Sequence, residues 1–163
     1  MIRPAREGDL PAITEIYAHY VEHTTATWML TAPDEDQWRT KIAGLTEAGL
    51  PFLVLDDELG LQGFAYLAPY RDRGGWVFTV EDTIYLREAA TGRGYGRALL
   101  GALLDAADPA TVREVVAMIS GEVGGSVILH ERLGFREVGR LAGVGTKFGR
   151  ALDCIVMQRS LIP

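Results

Sequence analysis

A chain of 163 residues has the size of one domain and enough length to bury a core. Its 48% hydrophobic and 23% charged residues are an ordinary globular balance, and no apolar run approaches the roughly 18 residues that a membrane span needs. The net charge of −6 argues against a nucleic-acid partner, which would need a clustered basic face, although arginines gather between 71 and 97 and suit a small anionic ligand.

The opening MIRPAR reads as a short β-like start, and the segment has no apolar signal region. Asp9 then stands as an N-cap or first-turn acid for a helix over Leu10–His23, with Ile13, Ile16, Tyr17 and Tyr20 at helical spacing. A loop, TTATWML, follows. Asp34, with Gln37 three residues on, opens a second helix that runs to about Ala48 and stops at Gly49–Pro51. The period then changes to that of strands. FLVLDD and LQGFAYLAP form a hairpin that turns at Asp57–Gly60, and GGWVFTVEDTIYL is predicted as the next strand, with Val80, Asp82 and Ile84 on one face and Glu81, Thr83 and Tyr85 on the other. After it come the glycine loop TGRGYG, a helix over Arg97–Ala107, a strand VREVVAMIS, a short helix in SVILHERLGF, and two strands around Glu137–Leu141 and Asp153–Ser160. The single cysteine, Cys154, allows no internal disulfide and points to a reduced, cytoplasmic setting. It lies in the apolar alternation CIVM with no adjacent base, so a core thiol is expected there rather than an acyl-enzyme nucleophile.

The glycine loop carries the first chemical signal. A nucleoside-triphosphate loop needs a lysine after its last glycine, and none follows here. A dinucleotide fingerprint needs a third glycine where Leu99 stands, and a position after the first strand of a βαβ unit. What remains is strand, glycine loop, helix, an arrangement that points backbone N–H groups and the positive helix end at an anion, with Arg93 and Arg97 as further contacts to a diphosphate.

TGRGYG (91–96) followed by LHERLGF (129–135) resembles the GNAT superfamily of acyl-CoA-dependent N-acyltransferases. TVEDTIYL (79–86), HERLGF and VGTKFGRALD (144–153) narrow the resemblance to the phosphinothricin and methionine sulfone/sulfoximine N-acetyltransferases. It implies an α+β fold: a mixed, mostly antiparallel sheet of about seven strands, splayed between the fourth and fifth, and about four flanking helices. It also implies acetyl-CoA as co-substrate, a small amino-acid α-amine as acceptor, no metal, and a homodimer. Three positions depart from the family pattern: Thr91 replaces Gln or Arg, Val123 an asparagine, and Ala151 a tryptophan.

The chemistry asks for few parts. An α-amine with pKa of about 8 is mostly protonated at neutral pH, so a base assists attack on the thioester. Glu81 is the candidate, central on the strand that leads to the glycine loop, where the family carries a glutamate near the amine. His130 stands at the tyrosine position of the superfamily, where the resemblance implies a general acid for the departing sulfur, and an imidazole could also act as a base. The resemblance implies carbonyl polarisation by a backbone N–H around Tyr85 or Leu86. Cofactor contacts are assigned to Ile84, Tyr85 and Leu86, to Thr91, Gly92, Arg93, Gly94, Tyr95, Gly96 and Arg97, and to Ser126. Arg71 and Arg73 offer guanidinium forks for a substrate carboxylate, Trp28 and Trp76 aromatic walls, and Asp82, Thr83 and Lys147 supporting or pocket-edge positions. Two other readings stay open at this level: an acetyltransferase of protein N-termini or lysines, and a non-catalytic acyl-CoA-binding domain.

Overall fold

A computed structural model describes residues 1–162. The first strand, β1 (Ile2–Pro4), leads through a 3-10 turn at Glu7–Asp9 into α1 (Leu10–His23), whose Leu10, Ile13, Ile16, Tyr17 and Val21 are buried along one stripe. Asp9 does not cap this helix with its side chain. Its carboxylate turns back to the Arg6 N–H at 2.7 Å and to the Arg3 guanidinium at 2.7 and 2.8 Å, fastening β1 to the helix entry. α2 (Glu35–Glu47) opens on the expected reciprocal cap: Gln37 N–H donates to Asp34 Oδ1 at 2.8 Å, and Asp34 N–H donates to Gln37 Oε1 at 2.9 Å.

β2 (Phe52–Asp57) and β3 (Gly60–Pro69) form the predicted hairpin. β4 is shorter than the sequence suggests, Thr79–Leu86, because its pairing with β3 ends at Pro69 opposite Val80. The chain between must therefore turn, and Gly74–Trp76 form a 3-10 turn instead of strand. α3 (Tyr95–Asp105) begins two residues before Arg97, since Gly94 in the left-handed region (φ +82°) is its N-cap. β5 (Glu114–Ser120) is followed by α4 (Gly124–Arg132), which ends before Gly134 at φ +83°. β6 (Arg136–Lys147) and β7 (Arg150–Ser160) are longer than predicted. They meet in a two-residue turn at Phe148 and Gly149, both at positive φ as a tight hairpin requires, and register shifts at Glu137/Gly139 and Leu141/Gly145 absorb the extra residues.

The seven strands form one sheet in the order β1-β2-β3-β4-β5-β7-β6, antiparallel everywhere except β4 against β5, with four α-helices. The expected architecture is present. α1 and α2 pack on one face over an aromatic core of Tyr17, Trp38, Phe52, Phe64 and Tyr66. α3 covers the other face with Leu99, Leu100 and Leu103, joined at its edge by α4 residues such as Leu129.

Candidate active site

The parallel pair β4–β5 holds for only three residues, Thr79–Glu81 against Glu114–Val116. Beyond that, β4 continues against β3 to Leu86 and β5 against β7 to Ser120, so each keeps a ladder on its outer side only. A cavity of about 650 Å³ fills the gap, within the range of small-molecule sites. Its walls are Glu81–Leu86, Met118 and its neighbours on β5, one side of α4, the rings of Tyr17, Tyr20 and Trp28, and the glycine loop.

At the loop end, Thr91 Oγ1 donates to the Glu88 carbonyl at 2.7 Å, which spends the hydroxyl on closing the turn. Gly92 (φ +73°) and Gly94 (φ +82°) then take conformations that other residues resist, and bring the chain round into α3. A Cβ on Gly96 would come within 3.3 Å of Leu129, so the missing side chain keeps the loop against α4. Thr91, Gly92, Gly94, Gly96 and Arg97 line the cavity. Arg93 and Tyr95 do not. The Arg93 guanidinium stacks 4.7 Å over the Tyr95 ring, and both reach Asp57, at 3.5 and 3.0 Å. The loop therefore offers an anion its backbone, the first turn of α3 and Arg97, while the Arg93 and Tyr95 side chains brace the β2–β3 hairpin.

Alternation on β4 puts Val80, Asp82 and Ile84 toward α3 and α4, and Glu81, Thr83 and Tyr85 toward α1 and α2. Because β5 has turned away, Glu81 and Asp82 both line the cleft. Burial lifts the Glu81 carboxyl above its ordinary pKa; the Asp82 charge adds to this, and Arg71 and Lys41 pull the other way. Such a carboxylate holds a proton more readily than a free glutamate, as a base for an amine should.

His130 and Asp82 are a buried ionisable pair of the site, with side chains 2% exposed each. His130 Nδ1 lies 2.7 Å from the Ser126 carbonyl, and Nε2 lies 2.9 Å from Asp82 Oδ2. Burial alone would lower the imidazole pKa, but the hydrogen bond and charge of Asp82, with the Ser126 carbonyl, raise it above the usual value. Asp82 Oδ1 and Ser120 Oγ are buried without a protein partner, and both residues line the cleft. Sequence reading places Asp82 in a supporting or pocket-edge position without naming its partner, since nothing local links it to a histidine 48 residues away.

Trp28 and Thr83 line the cavity with Ile84, Tyr85, Leu86 and Ser126. The Tyr20 hydroxyl donates to the Leu86 carbonyl at 2.7 Å and the Tyr85 hydroxyl to the Ala26 carbonyl at 3.1 Å, which ties the end of β4 to α1 and the loop after it. Tyr17 and Tyr20 were missed from sequence, because their helical spacing reads as core. Arg71, Arg73 and Trp76 lie outside the cavity, on the loop between β3 and β4, with Arg71 stacked 4.6 Å over Tyr70 and Trp76 edge-on to the same ring at 5.4 Å. Of these three, only Arg71 acts on Glu81 electrostatically. Lys147 is buried and donates to the Tyr20 and Thr27 carbonyls at 3.2 Å each, fixing the end of β6 to α1 and the loop after it. Cys154 is buried on β7, and burial raises its thiol pKa. Among the described residues no cluster of three or more histidine, cysteine, aspartate or glutamate side chains is placed to hold a metal.

The family model described as an acetyltransferase (GNAT) domain matches residues 2–156. Phosphinothricin N-acetyltransferase of Alcaligenes faecalis is 41% identical over 162 residues, covering 98% of this chain and 82% of that one. The L-methionine sulfoximine/L-methionine sulfone acetyltransferase of Salmonella typhimurium is 38% identical over 160 residues, covering 98% and 94%. An acetyltransferase from Salmonella typhimurium solved with its cofactor acetyl-CoA superposes with a TM-score of 0.96 at 37% identity, covering 100% of this chain and 94% of that one.

Proposed function

The chain belongs to the GNAT acetyltransferase family, and from that premise we propose that it transfers the acetyl group of acetyl-CoA to the α-amine of a small amino acid or analogue, of the phosphinothricin or methionine sulfone/sulfoximine type. The observation that carries the reading is Glu81, with raised proton affinity, in a cleft whose other end is a glycine cradle at a helix N-terminus.

The residues fit the co-substrate. Gly92, Gly94 and Gly96 leave room for backbone to approach a pyrophosphate, Arg97 adds charge, and the unpaired inner edges of β4 and β5 can accompany an extended arm into the sheet. Acetyl-CoA supplies an activated acyl group on a good leaving thiolate. Glu81 accepts the proton of the ammonium or of the attacking amine, and the backbone around Ile84–Leu86 hydrogen-bonds the carbonyl oxygen as charge develops on it. No side chain needs to be acylated. Arg71 is assigned to the substrate carboxylate, and Trp28 and Thr83 to the acceptor wall. Arg73 and Trp76 join them if the loop over residues 70–78 closes on bound substrate.

The walls of Tyr17, Tyr20 and Trp28 suit a small acceptor better than a protein chain. A second copy of this chain is the proposed partner, supported by the edge strand β6, almost wholly exposed and carrying Val138, Leu141 and Val144. The net charge of −6 supports a small-molecule acceptor over nucleic acid. A cytoplasmic setting rests on the lone, reduced cysteine, and no helix among the described residues is long and apolar enough to cross a membrane. One catalytic domain is supported by the single sheet that carries every element. Thiol release from acetyl-CoA with Glu81→Gln tests the base: kcat should fall about 100-fold with acetyl-CoA affinity kept, and an unchanged kcat would contradict the assignment.

A further inference from the structure

His130 occupies a family position tied to proton transfer, yet neither of its ring nitrogens is free. A carbonyl oxygen only accepts, so the 2.7 Å contact to Ser126 fixes a hydrogen on Nδ1. The second nitrogen faces Asp82 Oδ2 at 2.9 Å, in a pair removed from water. A carboxylate so enclosed needs a positive partner, and the ring is the one group bonded to it. The hydrogen-bonding capacity the pair retains is on Asp82 Oδ1, which has no partner, and Asp82 lines the cleft.

We propose that Asp82 is a positioning residue for the acetyl transfer: it holds His130 with a proton on each ring nitrogen, so that the imidazole has no lone pair with which to act as a base. Taking the proton of the amine then falls to Glu81 alone. The inference rests on the acetyltransferase reading above and sharpens it. Asp82 plays toward His130 the part that a buried aspartate plays in other histidine dyads, fixing orientation and protonation without itself touching the reacting atoms. Through that ring it pins α4 to β4 and so holds the wall of the cleft in place, which is the route by which its loss lowers kcat.

The protein has only three histidines, so nitrogen-15 spectra of the imidazole groups can be assigned with His130→Asn. In the wild type at neutral pH, both His130 nitrogens should resonate as protonated, and in Asp82→Asn one should move to the bare-nitrogen position. A bare nitrogen on His130 in the wild type would overturn the proposal. In thiol-release kinetics, Asp82→Asn should lower kcat at least about 10-fold with KM for acetyl-CoA within about 3-fold, and the double variant Asp82→Asn/His130→Asn should be no slower than His130→Asn alone. Effects that multiply, or an Asp82→Asn kcat equal to wild type, would show that Asp82 does not act through His130. Should Asp82→Asn fail to fold, the wild-type spectrum decides alone. Should the wild type acetylate no amine, the function fails while the spectrum still reports the ring, so the two failures are told apart.

Discussion

Glu81 and Asp82 are adjacent in sequence, face opposite sides of β4, and still share one cleft because β5 has left the strand. The alternation that predicts Glu81 is visible in TVEDTIYL. The partnership of Asp82 with His130 is not, since it depends on how α4 settles against β4. Arg71 and Lys41 both hold the Glu81 carboxyl down against burial, so removing either cation raises its proton affinity. Arg71→Gln is therefore expected to move the acid limb of the kcat/KM profile to higher pH, and to raise KM for the amino acid several-fold through loss of the proposed carboxylate contact. A limb that stays in place would separate Arg71 from Glu81. Cys154 is sealed on β7, so Cys154→Ala should leave kcat within about 2-fold while costing roughly 1 kcal/mol of stability in urea unfolding. Loss of turnover would revive an acyl-enzyme.

On the proposed function the loop from Thr91 to Arg97 holds coenzyme A through its backbone, and substitutions should reflect that. Thr91→Ala gives up a hydrogen bond within its own turn and should change coenzyme A affinity by less than about 3-fold in calorimetry. Gly94→Ala must hold a side chain at φ +82°, at a cost of about 1–2 kcal/mol, and should weaken coenzyme A binding markedly as the helix start shifts. Equal effects from the two would mean that the side chain at 91 matters as much as the cradle. The β6–β7 hairpin was only half legible: Gly139, Gly143 and Gly145 dilute the strand pattern, and the sequence cannot show that Trp28 lies against Gly145. A Cβ at Gly145 would overlap the Trp28 ring, so Gly145→Ala should disturb the acceptor wall, raising KM for the amino acid more than that for acetyl-CoA. At the other edge, the Arg3–Asp9 pair holds the Asp9 carboxyl below its ordinary pKa. That stabilisation is present above the unfolded carboxylate value of about 3.9 and is lost as pH falls through the folded one. Arg3→Met should thus cost about 1–3 kcal/mol at pH 7 and progressively less in acid, a trend that urea titrations at two pH values would show.

Over the whole molecule, element order and type were largely readable, because capping residues, hairpin signals and alternation agree with one another along the chain. Arg71, Arg73 and Trp76 show the limit: TGRGYG and LHERLGF mark the cleft by local pattern, whereas a loop such as residues 70–78 takes its place from whatever packs on it. The same holds for β6, whose exposed apolar edge makes sense as a surface between two copies; sedimentation should give about twice the 17.8 kDa of the chain, and a monomer at micromolar concentration would leave that edge unexplained. The splay between β4 and β5 opens the cleft in which, on the proposed function, a thioester, a base and an amine meet. The most direct test of that claim is thiol release from acetyl-CoA across a panel of amines that includes phosphinothricin, methionine sulfone and methionine sulfoximine. Turnover with at least one of these amino acids, reduced about 100-fold in Glu81→Gln, is the predicted result; binding of acetyl-CoA with no thiol release on any amine would contradict it.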